Sequence, residues 1–159
     1  MFCLSKGLGA PVGSLLVGSA EGMDRGRLYR KALGGGMRQA GILAAAGLIA
    51  LEQGPRKLAR DHENAKFLAE GLSHIPGIEI DPDRVQTNIL ICDTSASGIT
   101  GAEMSRKLAE RNVLASAYGP YIIRFVTHLD VNRGQCAEAL EIVTSVVRQA
   151  GKWPAPPAV

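Results

Sequence analysis

One lysine stands where its side chain could act as a nucleophile. Lys6 follows the short apolar run 2–4 and precedes glycines at positions 7, 9 and 13. The carboxyl end of a strand is where α/β proteins build sites, and a partly desolvated amine there is a competent nucleophile. The spacing alone leaves a second interpretation open, in which Lys6 is a solvated lysine on a turn.

One arginine stands inside an apolar strand. Arg124 lies in the segment 121–128, where most neighbours are apolar. A charge in such a strand is costly unless it is paired. Its planar fork could bind a carboxylate through two hydrogen bonds, or it could form an internal salt bridge. The sequence does not choose between the two.

Three consecutive glycines precede a predicted helix. Gly34, Gly35 and Gly36 are followed by Arg38, and glycine-rich backbone at a helix N-terminus can hold an anion. A flexible turn between helices is the alternative. The glycines at 7, 9 and 13 do not have dinucleotide-binding spacing and precede a strand. The spacing of the histidines and cysteines predicts no metal site.

Composition excludes several classes of protein. The chain has 159 residues, is 46% apolar and carries a net charge of +3 from 18 basic and 15 acidic residues that are interspersed. Without a basic cluster, and with only 4% aromatics, nucleic-acid binding is not predicted. Three widely spaced cysteines suggest free thiols in a reducing compartment, the cytoplasm. The most apolar run, 40–51, is too short for a membrane span and predicts a buried helix.

The hydrophobic pattern predicts an α/β protein in two parts. For residues 1–54 the pattern predicts two short strands and two helices, at 24–33 and 37–53. It also predicts that the second helix ends at Gly54-Pro55. Residues 55–150 give an α/β sandwich on a largely antiparallel sheet. Its predicted helices are 55–73, 100–110 and 132–149, and its strands are 78–80, 88–92, 113–117 and 121–127. The proline-rich segment 151–159 predicts a mobile tail.

Three segments together resemble the low-specificity L-threonine aldolases, in the β-eliminating lyase group of fold-type I enzymes that use pyridoxal 5'-phosphate (PLP). They are CLSKGLGAPVGS at 3–14, RKALGGGMRQ at 30–39 and RFVTHLDV at 124–131. The resemblance covers nearly all of residues 2–150. It implies a fold-type I architecture in which residues 1–54 end the large domain and residues 55–150 form the small domain.

The resemblance also implies roles for five residues. Lys6 is implied to be the Schiff-base lysine that carries PLP, and Arg124 to hold the α-carboxylate of the amino-acid substrate. Lys31 and Arg38 match basic residues that the family brings near the cofactor, and Ser5 contacts the phosphate or shapes the turn. The implied reaction is retro-aldol cleavage of threonine to glycine and acetaldehyde by a homotetramer or homodimer.

The family's other site residues lie upstream of Lys6 and have no counterpart here. We therefore expect the chain to be a C-terminal fragment that is inactive by itself. Two other interpretations stay open: a different PLP-dependent β-eliminating lyase, and a non-catalytic remnant that serves as an oligomerisation module.

Overall fold

The computed structural model describes residues 1–150, and the predicted tail at 151–159 lies outside the described residues. The described part contains four helices, α1 (Ala20–Ala32), α2 (Gly41–Ser73), α3 (Gly101–Ala109) and α4 (Arg133–Gln149). Its five strands are β1 (Phe2–Cys3), β2 (Ser14–Leu15), β3 (Ile89–Asp93), β4 (Ser116–Ala117) and β5 (Ile122–Val126). The chain divides into two compact units, Met1–Leu58 and the residues from Ala59 onward, with the division falling inside α2.

The first unit is built on a two-stranded antiparallel ribbon. β1 pairs with β2, so that Phe2 lies opposite Leu15 and Cys3 opposite Ser14. A small cluster of Leu4, Ala10 and Ala50 packs beneath the ribbon. Helix α1 starts at the capping residue Ser19 and buries no side chain. This unit therefore has little core of its own.

Helix α2 runs without a break through a proline. The sequence predicted two helices separated at Gly54-Pro55, and this prediction is wrong because Pro55 lies inside one continuous 33-residue helix. A proline in a helix interior costs about 3 kcal/mol through a lost hydrogen bond and a clash. Packing on both sides of Pro55 offsets that cost. Gly54 lies against Leu8, and Leu58 lies against Gly7.

The apolar stretch at the start of α2 is not buried as the sequence predicted. Ile42 is 86% exposed and Leu48 61% exposed, whereas Ala50 is buried. In α1, Leu28 is also exposed. Within the described residues the first unit thus presents a large apolar surface to solvent, which monomeric proteins rarely do.

The second unit is a three-stranded antiparallel sheet packed against helices. The strand order is β3-β5-β4, which puts β5 in the centre. Strands β3 and β5 bury alternate residues, as expected for a sheet with one covered face. The core on that face gathers Leu68, Leu72, Leu90, Met104, Leu108, Ile123, Phe125, Val143 and Val146. The predicted strand at 78–80 is reduced to one bridge between Glu79 and Asp93.

Capping residues fix where the two later helices begin. The side chain of Thr100 accepts from the backbone N–H of Glu103 at the start of α3. At the start of α4, Asn132 and Gln135 form a reciprocal capping box. Before α3, hydrogen bonds from the Ser95 side chain and backbone lower the pKa of the half-buried Asp93 carboxyl. These local signals set the two helices against the sheet.

Candidate active site

Lys6 lies on the turn that joins β1 to β2. Three backbone hydrogen bonds of 2.9 Å close this turn, from Leu4 to Gly13, from Ala10 to Leu4 and from Gly9 to the carbonyl of Lys6. Since Leu4 and Ala10 are buried, the turn is anchored on the core of the first unit. The Lys6 backbone is thus held in one conformation. The residue itself is exposed, so the desolvation predicted from the sequence is absent in the described chain.

The glycine after Lys6 allows close packing against α2. An ideal Cβ on Gly7 would lie 2.6 Å from Cδ2 of Leu58 in α2. Gly13, which closes the turn, has a φ of +127°, a conformation that side chains disfavour. The role of Gly7 and Gly13 is to let the turn that carries Lys6 pack closely. Ser5, next to Lys6, is exposed on the same turn.

Lys31 and Arg38 lie on either side of the triple glycine. Lys31 lies in the last turn of α1, and its Cδ comes within 3.2 Å of the position that a Cβ on Gly36 would occupy. Its aliphatic chain therefore lies along the glycine turn. The predicted helix start at residue 37 is wrong because α2 begins at Gly41, so the glycines and Arg38 precede the helix rather than open it. The glycines therefore do not form the N-terminus of α2, although two cations flank their turn.

Arg124 occupies the centre of the sheet face opposite the core. Its neighbours across the sheet are Ile91 on β3 and Ser116 on β4. The Nε–H of Arg124 is buried and has no hydrogen-bond partner among the described residues. The guanidinium carbon lies 5.9 Å from the ring centroid of Tyr118. Among residues 1–150 no carboxylate forms an ion pair with it. The internal salt bridge that the sequence left open is therefore absent from the described chain.

Other ionisable groups do not form a second candidate site. Burial raises the pKa of the Cys92 thiol to about 12 and also raises that of Cys136, against the opposing effect of Arg133. Both thiols are therefore poor nucleophiles. Within the described residues no three His, Cys, Asp or Glu side chains come together as metal ligands. The helices of this part of the chain include none that is both long and apolar enough to span a membrane.

The architecture is the fold of the fold-type I PLP-dependent enzymes, which confirms the predicted fold class. A serine palmitoyltransferase from Sphingomonas wittichii superposes on 96% of this chain and 40% of its own, with a TM-score of 0.72 and 19% identity. The 8-amino-7-oxononanoate synthase of Francisella tularensis superposes on 93% of this chain and 46% of its own, with a TM-score of 0.68 and 22% identity. At such identities the likeness concerns the fold alone.

Sequence comparison assigns the family. The profile described as beta-eliminating lyase matches residues 1–95, and the chain belongs to this family. It is 48% identical over 136 residues to a low specificity L-threonine aldolase of Escherichia coli, a match that covers 86% of this chain and 39% of the relative. It is 45% identical over 127 residues to low-specificity L-threonine aldolase 1 of Arabidopsis thaliana, covering 79% and 36%. The resemblance inferred from the three segments is confirmed, and the chain spans less than two fifths of these relatives.

Proposed function

We propose that this chain is part of a PLP-dependent aldehyde-lyase that cleaves L-threonine and L-allo-threonine to glycine and acetaldehyde. The relatives that match over most of the chain carry the name low-specificity L-threonine aldolase. The observation that supports an amino-acid substrate is the guanidinium of Arg124, whose buried Nε–H has no hydrogen-bond partner within residues 1–150. A planar cation that pairs with no carboxylate of this part of the chain suits an incoming one.

The residues of the first unit fit a phosphorylated aldehyde. Lys6 supplies a primary amine on a turn whose backbone is fixed by hydrogen bonds. Lys31 and Arg38 supply two cations on either side of Gly34, Gly35 and Gly36, which suits a phosphate. Ser5 offers a hydroxyl next to the amine. We assign covalent attachment of PLP to Lys6, and phosphate or near-cofactor contacts to the other three residues.

In this proposal the chain's own residues bind and orient the substrate. PLP, when bound, supplies an electron sink for the bond that breaks. Arg124 donates hydrogen bonds from its guanidinium fork to the α-carboxylate and so fixes the direction of the Cα–Cβ bond. Holding a reactant in one orientation lowers the barrier by removing motional freedom beforehand. The amine of Lys6 would hold the cofactor.

The proposal includes a homo-oligomer, a dimer or tetramer, in the cytoplasm, with roles in threonine breakdown and glycine formation. The large apolar surface on α1 and on the first part of α2 supports an assembly that covers it. Free cysteines support a reducing compartment.

A chimera tests the reaction. This chain would replace the matching segment of the Escherichia coli relative, and glycine and acetaldehyde released from L-threonine would be measured with PLP present. We expect the chimera to cleave L-threonine and its Lys6→Ala variant not to cleave it. The control variant Lys57→Ala, which alters an exposed lysine of α2, should cleave L-threonine as the chimera does. A soluble chimera that binds PLP without cleaving L-threonine would contradict the proposal, as would an active Lys6→Ala variant.

A further inference from the structure

Tyr118 shares the sheet face on which Arg124 lies. Strand β4 pairs Ser116 with Arg124 and Ala117 with Ile123. The backbone N–H of Tyr118 then donates to the carbonyl of Ile122 at 2.9 Å, which continues the same register by one residue. Tyr118 is therefore diagonal to Arg124 on the same face. Diagonal neighbours in an antiparallel pair are within reach of an aromatic side chain.

The ring of Tyr118 lies over the guanidinium of Arg124. The distance from the guanidinium carbon to the ring centroid is 5.9 Å, inside the range of a cation–π contact. Tyr118 is 71% exposed, so core packing does not account for its placement. The contact with Arg124 is the interaction of this ring that the structure shows.

The surroundings of the Arg124 guanidinium favour the binding of an anion. Its Nε–H is buried and makes no hydrogen bond within the described chain, so this donor has lost its water without gaining an acceptor. A carboxylate bound side-on would satisfy that donor together with a neighbouring N–H of the fork. Such binding requires that the guanidinium plane be held in one orientation.

We propose that Tyr118 is a positioning residue, whose ring packs on Arg124 and orients its guanidinium for the α-carboxylate of the amino-acid substrate. This inference rests on the proposed function, which gives Arg124 that carboxylate. The flat ring restricts the long arginine side chain and leaves its fork edge available. The phenol hydroxyl has no part in the contact, so phenylalanine should replace tyrosine without loss.

Arginine side-chain signals of the 15N-labelled chain test the proposal directly. The Nε–H signal of Arg124 would be assigned by its loss in Arg124→Lys, and its exchange with water measured without ligand. The chain would then be titrated with L-threonine and with threoninol, which keeps the amine and hydroxyl but lacks the carboxylate. The variants are Tyr118→Ala, Tyr118→Phe and, as a matched exposed tyrosine of the same hairpin, Tyr121→Ala.

We expect L-threonine, and not threoninol, to shift the Arg124 signal. In Tyr118→Ala the Nε–H should exchange faster and the L-threonine affinity should fall about two- to fivefold, the range of an exposed cation–π contact. Tyr118→Phe and Tyr121→Ala should match the parent chain. Unchanged exchange and affinity in Tyr118→Ala would overturn the inference and leave the proposed function intact.

A second outcome separates the two claims. If L-threonine shifts no Arg124 signal in the parent chain, the carboxylate role of Arg124 is wrong, and with it the purpose assigned to Tyr118. The ligand-free exchange rate still decides whether Tyr118 orients the guanidinium. Phenylalanine keeps the aromatic ring and lacks only the hydroxyl. If the Arg124 Nε–H exchanges faster in Tyr118→Phe as well as in Tyr118→Ala, the hydroxyl rather than the ring is responsible, which contradicts the role proposed for the ring.

Discussion

The hydroxyl of Thr127 donates a 2.6 Å hydrogen bond to the main-chain carbonyl of Asp61, joining the residue after β5 to the middle of α2. Both residues are fully buried. The carboxylate of Asp61, in contrast, has no hydrogen-bond partner on either oxygen within the described chain. A buried carboxylate without a donor opposes folding.

Removing the charge of Asp61 should therefore stabilise the chain. We expect Asp61→Asn to raise the free energy of unfolding at pH 7 by about 1–3 kcal/mol, because an amide is less costly to bury than an unpaired charge. Urea denaturation measures this change. Asp83→Asn, which alters a side chain that is 96% exposed, should change stability by less than about 0.5 kcal/mol. A loss of stability in Asp61→Asn would show that the carboxylate has a donor after all.

Gly101 should not tolerate a side chain. An ideal Cβ there would lie 2.5 Å from the carbonyl oxygen of Ile122 and 2.8 Å from that of Gly119, and backbone atoms cannot move aside easily. Gly101→Ala should therefore destabilise the second unit by about 1–3 kcal/mol, the usual range for overpacking. Thermal unfolding checks this.

The matched control for Gly101 is Gly41, the first residue of α2, where an added Cβ meets nothing within 4 Å. We expect Gly41→Ala to leave stability unchanged or to raise it by up to about 1 kcal/mol. Equal effects of the two substitutions would contradict the close approach of α3 to the hairpin between β4 and β5.

Stability should fall in alkaline solution because of Cys92. Burial raises the pKa of this thiol from 9.0 to about 12. Between these values the unfolded chain releases the proton and the folded chain keeps it, so stability is complete below pH 9.0 and decreases as the pH rises toward about 12. The decrease from this group approaches about 1.4 kcal/mol per pH unit.

Urea denaturation at several pH values between 8 and 11 measures the contribution of Cys92 to the free energy of unfolding. Cys92→Ala removes it, so the variant should lose stability more slowly with rising pH, whatever its stability at neutral pH. Cys136, whose pKa burial also raises, is present in both proteins and cancels in the comparison. Parallel pH profiles would contradict the assignment to Cys92.

Local sequence signals predicted much of the second unit. Strands β3 and β5 alternate buried and exposed residues, and Thr100 and Asn132 are capping types that fix the starts of α3 and α4. The resemblance implied site roles for Lys6 and Arg124, and these roles stay predictions. Pro55 misled the prediction because its local preference for a helix end is overridden by packing around Gly54 and Leu58, which sequence periodicity does not reveal.

The neighbours of Arg124 were harder to predict from the sequence than the helices and strands of the second unit. Tyr118 was not singled out, although a hairpin turn at Gly119-Pro120 was predicted correctly. Counting the register outward from that turn would have put Tyr118 opposite Ile122 and diagonal to Arg124. The start of α2 at Gly41 could not be inferred, since Gln39 adopts a positive φ that its residue type does not signal.

The role proposed for Lys6 is tested most directly by locating the lysine to which PLP attaches. The purified chain would be incubated with PLP, reduced with borohydride and mapped by peptide mass spectrometry, beside Lys6→Ala and the exposed-lysine control Lys57→Ala. We expect a phosphopyridoxyl label on the peptide that contains Lys6. This label should be lost in Lys6→Ala and kept in Lys57→Ala. A label that is spread over many lysines and is unchanged in Lys6→Ala would contradict the proposal that Lys6 is the cofactor lysine.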